Sequence, residues 1–134
     1  MFRTELHPRD PGASISLNDR LYLTGSCFSD HMGSRLTACK FNVLTNPFGI
    51  IYNPLSLFKL LDHALDNRPL PDEGYLHHQG LYRHFDLHSS ISGLNREELE
   101  QKMQQALDAS HHQLIGARWI IITLGTAIVF RHQA

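Results

Sequence analysis

Two cysteines in 134 residues are too few for a disulfide scaffold, and Cys27 and Cys39 are spaced neither as a CxxC redox pair nor as zinc ligands. If one helix joins them, its ends lie about 18 Å apart at 1.5 Å per residue, beyond disulfide reach. Two free thiols and a reducing compartment are expected. Charge of one sign is also missing: twelve basic and thirteen acidic residues give a formal net charge of −1. That balance carries no footprint for nucleic acid or an anionic lipid surface. No apolar run approaches the roughly eighteen residues that span a bilayer. Met1 to Asp10 carry charges, His7 and Pro8 where an export signal would be apolar. The expected location is cytoplasmic, with no membrane partner.

What is present is enough apolar material, 42% of residues, for one core and one domain over 1–134. Residues 1–19, with Pro8, Pro11 and Gly12, read as an extended polar lead-in. Leu21 to Thr24 predict a short buried strand, and Phe28, Met32, Leu36 and Cys39 recur at helical spacing as the inward stripe of a first helix. Phe41 to Thr45 predict a second strand, closed by the turn Asn46-Pro47-Phe48-Gly49. Asn53 as N-cap and Pro54 at the first helical position open a second helix, with Leu57, Leu60, Leu61, Ala64 and Leu65 on its buried face.

Residues 66–93, rich in Pro, Gly, His and aromatics, read as a long irregular loop of the functional kind. A third helix follows to about Ile115, with Asn95 as N-cap, an acidic N3 residue, a Leu94/Leu99 staple and Gly116 as its stop. Its inward residues are Leu99, Met103, Ala106, Leu107, Ser110 and Leu114. Trp119 to Leu124 is a continuous apolar run, read as a central parallel strand buried on both faces. The alternation predicts an α/β layered fold with a parallel sheet and right-handed crossovers. Such sheets bind ligands outside the carboxyl ends of their strands. Here those ends are Gly25-Ser26, Asn46 to Gly49 and Gly125-Thr126.

Leu21-Tyr22-Leu23-Thr24-Gly25-Ser26-Cys27-Phe28 places a hydroxyl and a thiol where a strand turns into a helix, the positive end of the helix macrodipole. By default such a pair is an N-cap and a buried cysteine. The sharper reading is a nucleophile, Ser26 or Cys27. Ten histidines are many for this length, but the spacing of His77, His78, His84 and His88 fits no common zinc pattern, and no metal is expected. His31, His111 and His112 read as surface residues, and Glu97, Glu98 and Glu100 as the acidic first turn of a helix.

Thr24-Gly25-Ser26-Cys27-Phe28-Ser29 resembles the signature of the GSCFA family, a bacterial family grouped with the SGNH/GDSL hydrolases. Asn46-Pro47-Phe48-Gly49-Ile50-Ile51-Tyr52-Asn53-Pro54, His88-Ser89-Ser90-Ile91-Ser92 and Thr123-Leu124-Gly125-Thr126-Ala127 are similar to three further blocks of that family, in order. The resemblance implies a flavodoxin-like three-layer α/β/α domain with an esterase-type site and no cofactor. Laid without a gap on Gly-Asp-Ser-Leu, the first block puts Cys27 at the nucleophile position, and a shift of one residue restores Ser26. Gly49 falls where the superfamily offers a backbone N–H to the oxyanion. The fourth block resembles Gly-x-Asn-Asp, yet Gly125-Thr126-Ala127-Ile128 lacks its asparagine. Loss of such a donor costs roughly 3 kcal/mol elsewhere, so Thr126 or an amide would have to substitute. His88 lies in a matched block and is a candidate for binding or proton transfer.

The resemblance implies that the Asp-x-x-His supplying the catalytic base follows a fifth strand, whereas the sequence runs only about ten residues past its third. The expectation is therefore the N-terminal, incomplete part of a longer domain, with little turnover alone. Its substrate would be a small-molecule or glycan acyl ester. In the superfamily strand order 2-1-3 the Trp119 strand would be an uncovered edge and a site of self-association. An alternative is a non-catalytic module binding a glycan or protein through residues 75–92, which the missing asparagine favours. A redox-responsive thiol at Cys27 is a third reading.

Overall fold

The computed structural model describes residues 4–7, 9–10 and 12–131, so part of the expected lead-in, Pro8 and Pro11 included, lies outside the described residues. β1 (Arg20–Gly25) is the middle strand of a three-stranded parallel sheet, flanked by β2 (Asn42–Thr45) and β5 (Trp119–Thr123) in the order β2-β1-β5. This is the α/β layered arrangement and the strand order expected from the sequence. In register, Leu21 lies between Val43 and Trp119, and Leu23 between Thr45 and Ile121. Side chains alternate between the two faces, so Leu21, Leu23, Thr45 and Thr123 share one face and Tyr22, Leu44 and Ile122 the other.

α1 (Cys27–Ala38) covers the Leu21/Leu23 face. It does so through Ser29 and Gly33, both buried, and not through the apolar stripe that its spacing suggests. Phe28 is 59% and Met32 37% exposed, and Cys39 is exposed too. The reason is closeness: a Cβ on Gly33 would stand 2.0 Å from Thr45 Oγ1, so the helix lies on the sheet where only small residues fit. The larger apolar residues of α1 point away.

The opposite face carries the main core. α2 (Pro54–Leu65) and α3 (Arg96–Leu114) pack together and against Tyr22, with Phe48, Leu57, Leu60, Leu99 and Leu107 between them. Leu65 is the exception in α2, being 51% exposed. Asn53 precedes α2 as expected but makes no cap bond to a helix amide; its Nδ2 donates to Ser56 Oγ and to the Phe130 carbonyl. Asn95 does cap α3, accepting from the Glu98 N–H at 2.8 Å. Glu98 reaches back to the Leu94 N–H, and Leu94 is left 74% exposed, so there is no Leu94/Leu99 staple. Burial pushes the Tyr22 phenol up to about 12, and its hydroxyl donates to Ser110 Oγ at 3.3 Å.

The segment 66–93 is more ordered than its composition suggests. A 3-10 turn (Asp72–Gly74) leads into an antiparallel hairpin of β3 (Tyr75–His78) and β4 (Leu81–His84). Gln79 and Gly80, at φ 51° and 75°, form the two-residue left-handed turn that suits a hairpin. β4 is tied onward through the bridge between Tyr82 and Gly93, and Asp86 accepts from Ser56 Oγ and Lys59 Nζ of α2 at 2.8 and 2.6 Å. β5 differs from its sequence reading in one respect. It is an edge strand among the described residues, and Ile120 is 51% exposed where burial on both faces is expected of a central strand.

Candidate functional site

The carboxyl ends of the three parallel strands carry Ser26, Asn46 and Thr123, and the hydrogen bonds of these three residues tie the ends together. Gly25 makes the turn possible. Its φ is 123°, and a Cβ there would stand 2.1 Å from the Thr123 carbonyl oxygen, so a side chain is excluded by both conformation and space. The Gly25 N–H donates to Asn46 Oδ1 at 2.8 Å, and the Ile51 N–H donates to the Gly25 carbonyl at 2.9 Å. Asn46 Nδ2 completes the tie by donating to Asp30 Oδ1 at 2.5 Å. Asn46 thus works as a clasp between β1, α1 and the second turn.

Ser26 is the N-cap of α1. Its Oγ accepts from the Phe28 N–H at 3.3 Å and lies 2.9 Å from Thr123 Oγ1. Proton counting fixes the direction of that second bond. Ser29 Oγ donates to the Thr24 carbonyl, so the 2.7 Å contact between Ser29 and Thr123 uses the threonine's proton, and the Ser26 proton goes to Thr123. Ser26 is 8% exposed, and its hydroxyl is satisfied as donor and acceptor by the fold.

Cys27, the first residue of α1, is exposed. Its N–H, orphaned at the helix start, donates to no group among the described residues. Interaction with the Cys27 side chain, then burial and Asp30, push the Tyr52 phenol above its ordinary range. Asp30 stands one turn along α1, so Cys27, Asp30 and Tyr52 form a group at the open mouth of the turn. Tyr52, Ser29, Asp30 and Thr123 were not singled out by sequence reasoning. Tyr52, Ser29 and Thr123 lie inside the matched blocks, the signal that could have flagged them, whereas Asp30 lies outside.

The other nominated residues fall near this group with different duties. Gly49, at φ 78°, lies under His88, whose Cβ would be 2.3 Å from a Cβ at that position. The Gly49 N–H closes its own turn by donating to the Asn46 carbonyl at 2.8 Å, so the amide expected to face an oxyanion is already engaged. His88 holds Ser90 through Nδ1, at 2.8 Å from Oγ, and its N–H donates to the Phe48 carbonyl. Gly125 faces the Tyr52 ring and Ser26 Cβ, at 3.1 and 4.0 Å from a Cβ placed there. Thr126 Oγ1 accepts from the Ile128 N–H at 3.0 Å, a local turn with no link to Cys27. His88, Gly49 and Gly125 are thus brought to the same end of the sheet, and Thr126 serves its own loop.

A cavity of about 280 Å³ adjoins this end, lined by Ile51, Tyr52, Ser56, Leu87, His88 and Phe130 among others. Among the described residues no group of three or more His, Cys, Asp or Glu could hold a metal ion. None of the described helices is long and apolar enough to cross a membrane. The GSCFA family model matches residues 20–134. No curated protein and no solved structure matches the chain.

Proposed function

The chain belongs to the GSCFA family, and from that premise we propose that residues 20–134 form the nucleophile-bearing part of an SGNH-like acyl hydrolase in which Cys27 attacks the substrate. The observation that carries the choice of atom is the contrast at the turn: the Ser26 proton is held by Thr123, whereas the Cys27 thiol is exposed at a helix N-terminus. The ungapped alignment with Gly-Asp-Ser-Leu favours the same residue. The Cys27 thiol releases its proton to water, the thiolate forms a bond to the acyl carbon as the carbonyl π pair moves onto oxygen, and collapse of that oxyanion breaks the C–O bond, leaving a thioester and an alkoxide that takes a proton from water to depart as the alcohol. The Cys27 N–H and the positive end of α1 are the groups best placed to receive the oxyanion.

Water would then cleave the thioester with help from a general base. The hydrogen bonds of His63, His84, His88 and His111 run to Pro69, Pro71, Ser90 and Ala64, not to Cys27. With these four histidines engaged elsewhere, the behaviour proposed for the 134-residue chain is acylation with slow release. A small-molecule or glycan acyl ester is the substrate class.

Incubation with an activated p-nitrophenyl ester checks this, with mass spectrometry of the peptide that contains Ser26 and Cys27. A single acyl adduct on Cys27, lost in Cys27→Ser and kept in Ser26→Ala, is expected. An adduct on Ser26, or none, overturns the assignment. Rapid multiple turnover that needs Cys27 would instead show that the base is already present.

A binding module is the second reading, favoured by the engaged Gly49 amide and by Ala127 at the asparagine position. It would use the hairpin and residues up to 92 to hold a glycan or protein. Absence of any acyl adduct, together with saturable glycan or protein binding lost on deleting the hairpin turn, would favour it.

A further inference from the structure

The chain beyond β5 returns to the start of α2 and leaves a phenyl ring in the open. Asn53 grips the Phe130 backbone at two points, its Nδ2 donating to the carbonyl at 2.9 Å and its Oδ1 accepting from the N–H at 3.3 Å. Phe130 is nonetheless exposed. Phe85 is alike in kind: its N–H is fixed to the Gly74 carbonyl, and half of the residue is exposed. Both line a cavity of about 560 Å³, inside the roughly 300–1,000 Å³ of small-ligand clefts. It is continuous with the smaller cavity beside Tyr52, because Asn53, Ser56, Phe85, Asp86 and Phe130 line both.

This groove offers donors as well as acceptors. Asp86 accepts from Ser56 Oγ through one oxygen and from Lys59 Nζ through the other, so each oxygen keeps a free lone pair and the ammonium keeps two protons. At the inner end the Ser90 N–H donates to His88 Nδ1 at 3.2 Å. The neutral ring therefore carries its proton on Nε2, which has no hydrogen bond among the described residues. Charge cancels along the larger cavity, Lys59 and Arg131 standing against Glu73 and Asp86.

We propose that this groove holds an uncharged sugar ring, the glycan portion of the substrate. A pyranose presents C–H groups on its faces and hydroxyls around its edge. The rings of Phe85 and Phe130 receive the faces, while Asp86, Lys59 and His88 exchange hydrogen bonds with the edge. An alkyl chain would leave those polar groups without partners, and an anion would face Asp86 with Lys59 already neutralised. The proposal rests on the reading of the chain as an acyl hydrolase and narrows its substrate to a glycan ester. The acyl group would lie at the Tyr52 end, where Gly125 separates that ring from the Ser26-Cys27 turn.

The test is an NMR titration of the 134-residue chain, with isotope-labelled phenylalanines, against the methyl glycosides of glucose, galactose, mannose and N-acetylglucosamine. Saturable shifts of the Phe85 and Phe130 ring signals are expected with at least one of them, with a Kd of about 1–10 mM. Phe130→Ala and Phe85→Ala should each weaken that binding about tenfold. Phe28→Ala removes an exposed ring that lines neither cavity and should leave it unchanged. No saturable shift with any of the four sugars, or parental affinity in both ring variants, overturns the proposal. Tighter binding of methyl glucuronide than of methyl glucoside overturns the uncharged ligand. None of these probes carries an ester, so the acylation experiment remains independent. An acyl adduct on Cys27 without sugar binding removes the groove and leaves the nucleophile, whereas sugar binding without an adduct does the reverse.

Discussion

At the scale of single residues, Ser26 and Cys27 are chain neighbours with opposite surroundings, and stability should separate them. Ser26→Ala removes the cap on the Phe28 N–H and strips Thr123 of its donor. Loss of such a cap costs about 1–2 kcal/mol, which urea denaturation reads directly. Cys27→Ala changes an exposed side chain and should move stability by less than about 0.5 kcal/mol. Equal losses in the two variants would contradict the division. The sequence left the pair undivided because the deciding contact is with Thr123, 97 positions away. Gly49 shows the opposite limit. Its glycine was legible, but that its amide turns back onto Asn46 while His88 fills the space above it depends on tertiary placement.

Among the elements, the three parallel strands and three long helices were readable because each carries its own period and caps. The hairpin was not. Tyr75–His78 and Leu81–His84 are four residues each, too short for alternation to stand out, and the turn pair Gln79-Gly80 is a less familiar form of the Asn-Gly signal. The face of α1 was misread for a different reason: close approach to the sheet selects small residues, and an apolar stripe says nothing about that distance.

The hairpin brings with it a titrating group. His84 is 2% exposed, with Nε2 on the Pro71 carbonyl and Nδ1 accepting from the Asp86 N–H, so the neutral ring satisfies both partners with one proton. Burial lowers its pKa first, with Lys59 and His63 acting in the same direction, against Pro71 and Asp86. In the unfolded chain a histidine takes its proton near pH 6.5, so between that value and the lower folded one the unfolded state binds more protons. The His84 contribution is therefore complete above about pH 6.5 and declines as pH falls below it. Denaturation midpoints measured from pH 7.5 down to 5.5 should fall more steeply in the parent than in His84→Gln, and parallel curves would remove the assignment.

In the molecule as a whole, β1 is the only strand of the parallel sheet paired on both sides among the described residues. The candidate site lies at its carboxyl end, between the turn after β2 and the one after β5, which is where the layered topology concentrates loop ends. The same topology leaves β5 with one row of peptide groups unpaired among the described residues. Ile120 and Leu124 are 51% and 53% exposed on or beside it, and Phe130 is 72% exposed a few residues on. An edge of this kind, apolar and free of Lys or Pro within Trp119–Thr123, is a template for another extended strand. We therefore expect the 134-residue chain to associate through β5, with scattering that rises with protein concentration. Ile120→Lys puts a charge at a half-exposed position of the edge while leaving Tyr22, its neighbour on β1, in the core. It should suppress association and leave the denaturation midpoint of dilute protein unchanged within about 0.5 kcal/mol. A parent chain that sediments as a monomer at every concentration would show that the edge is protected by something other than pairing, and the site at its end would then be reachable without disturbing the sheet.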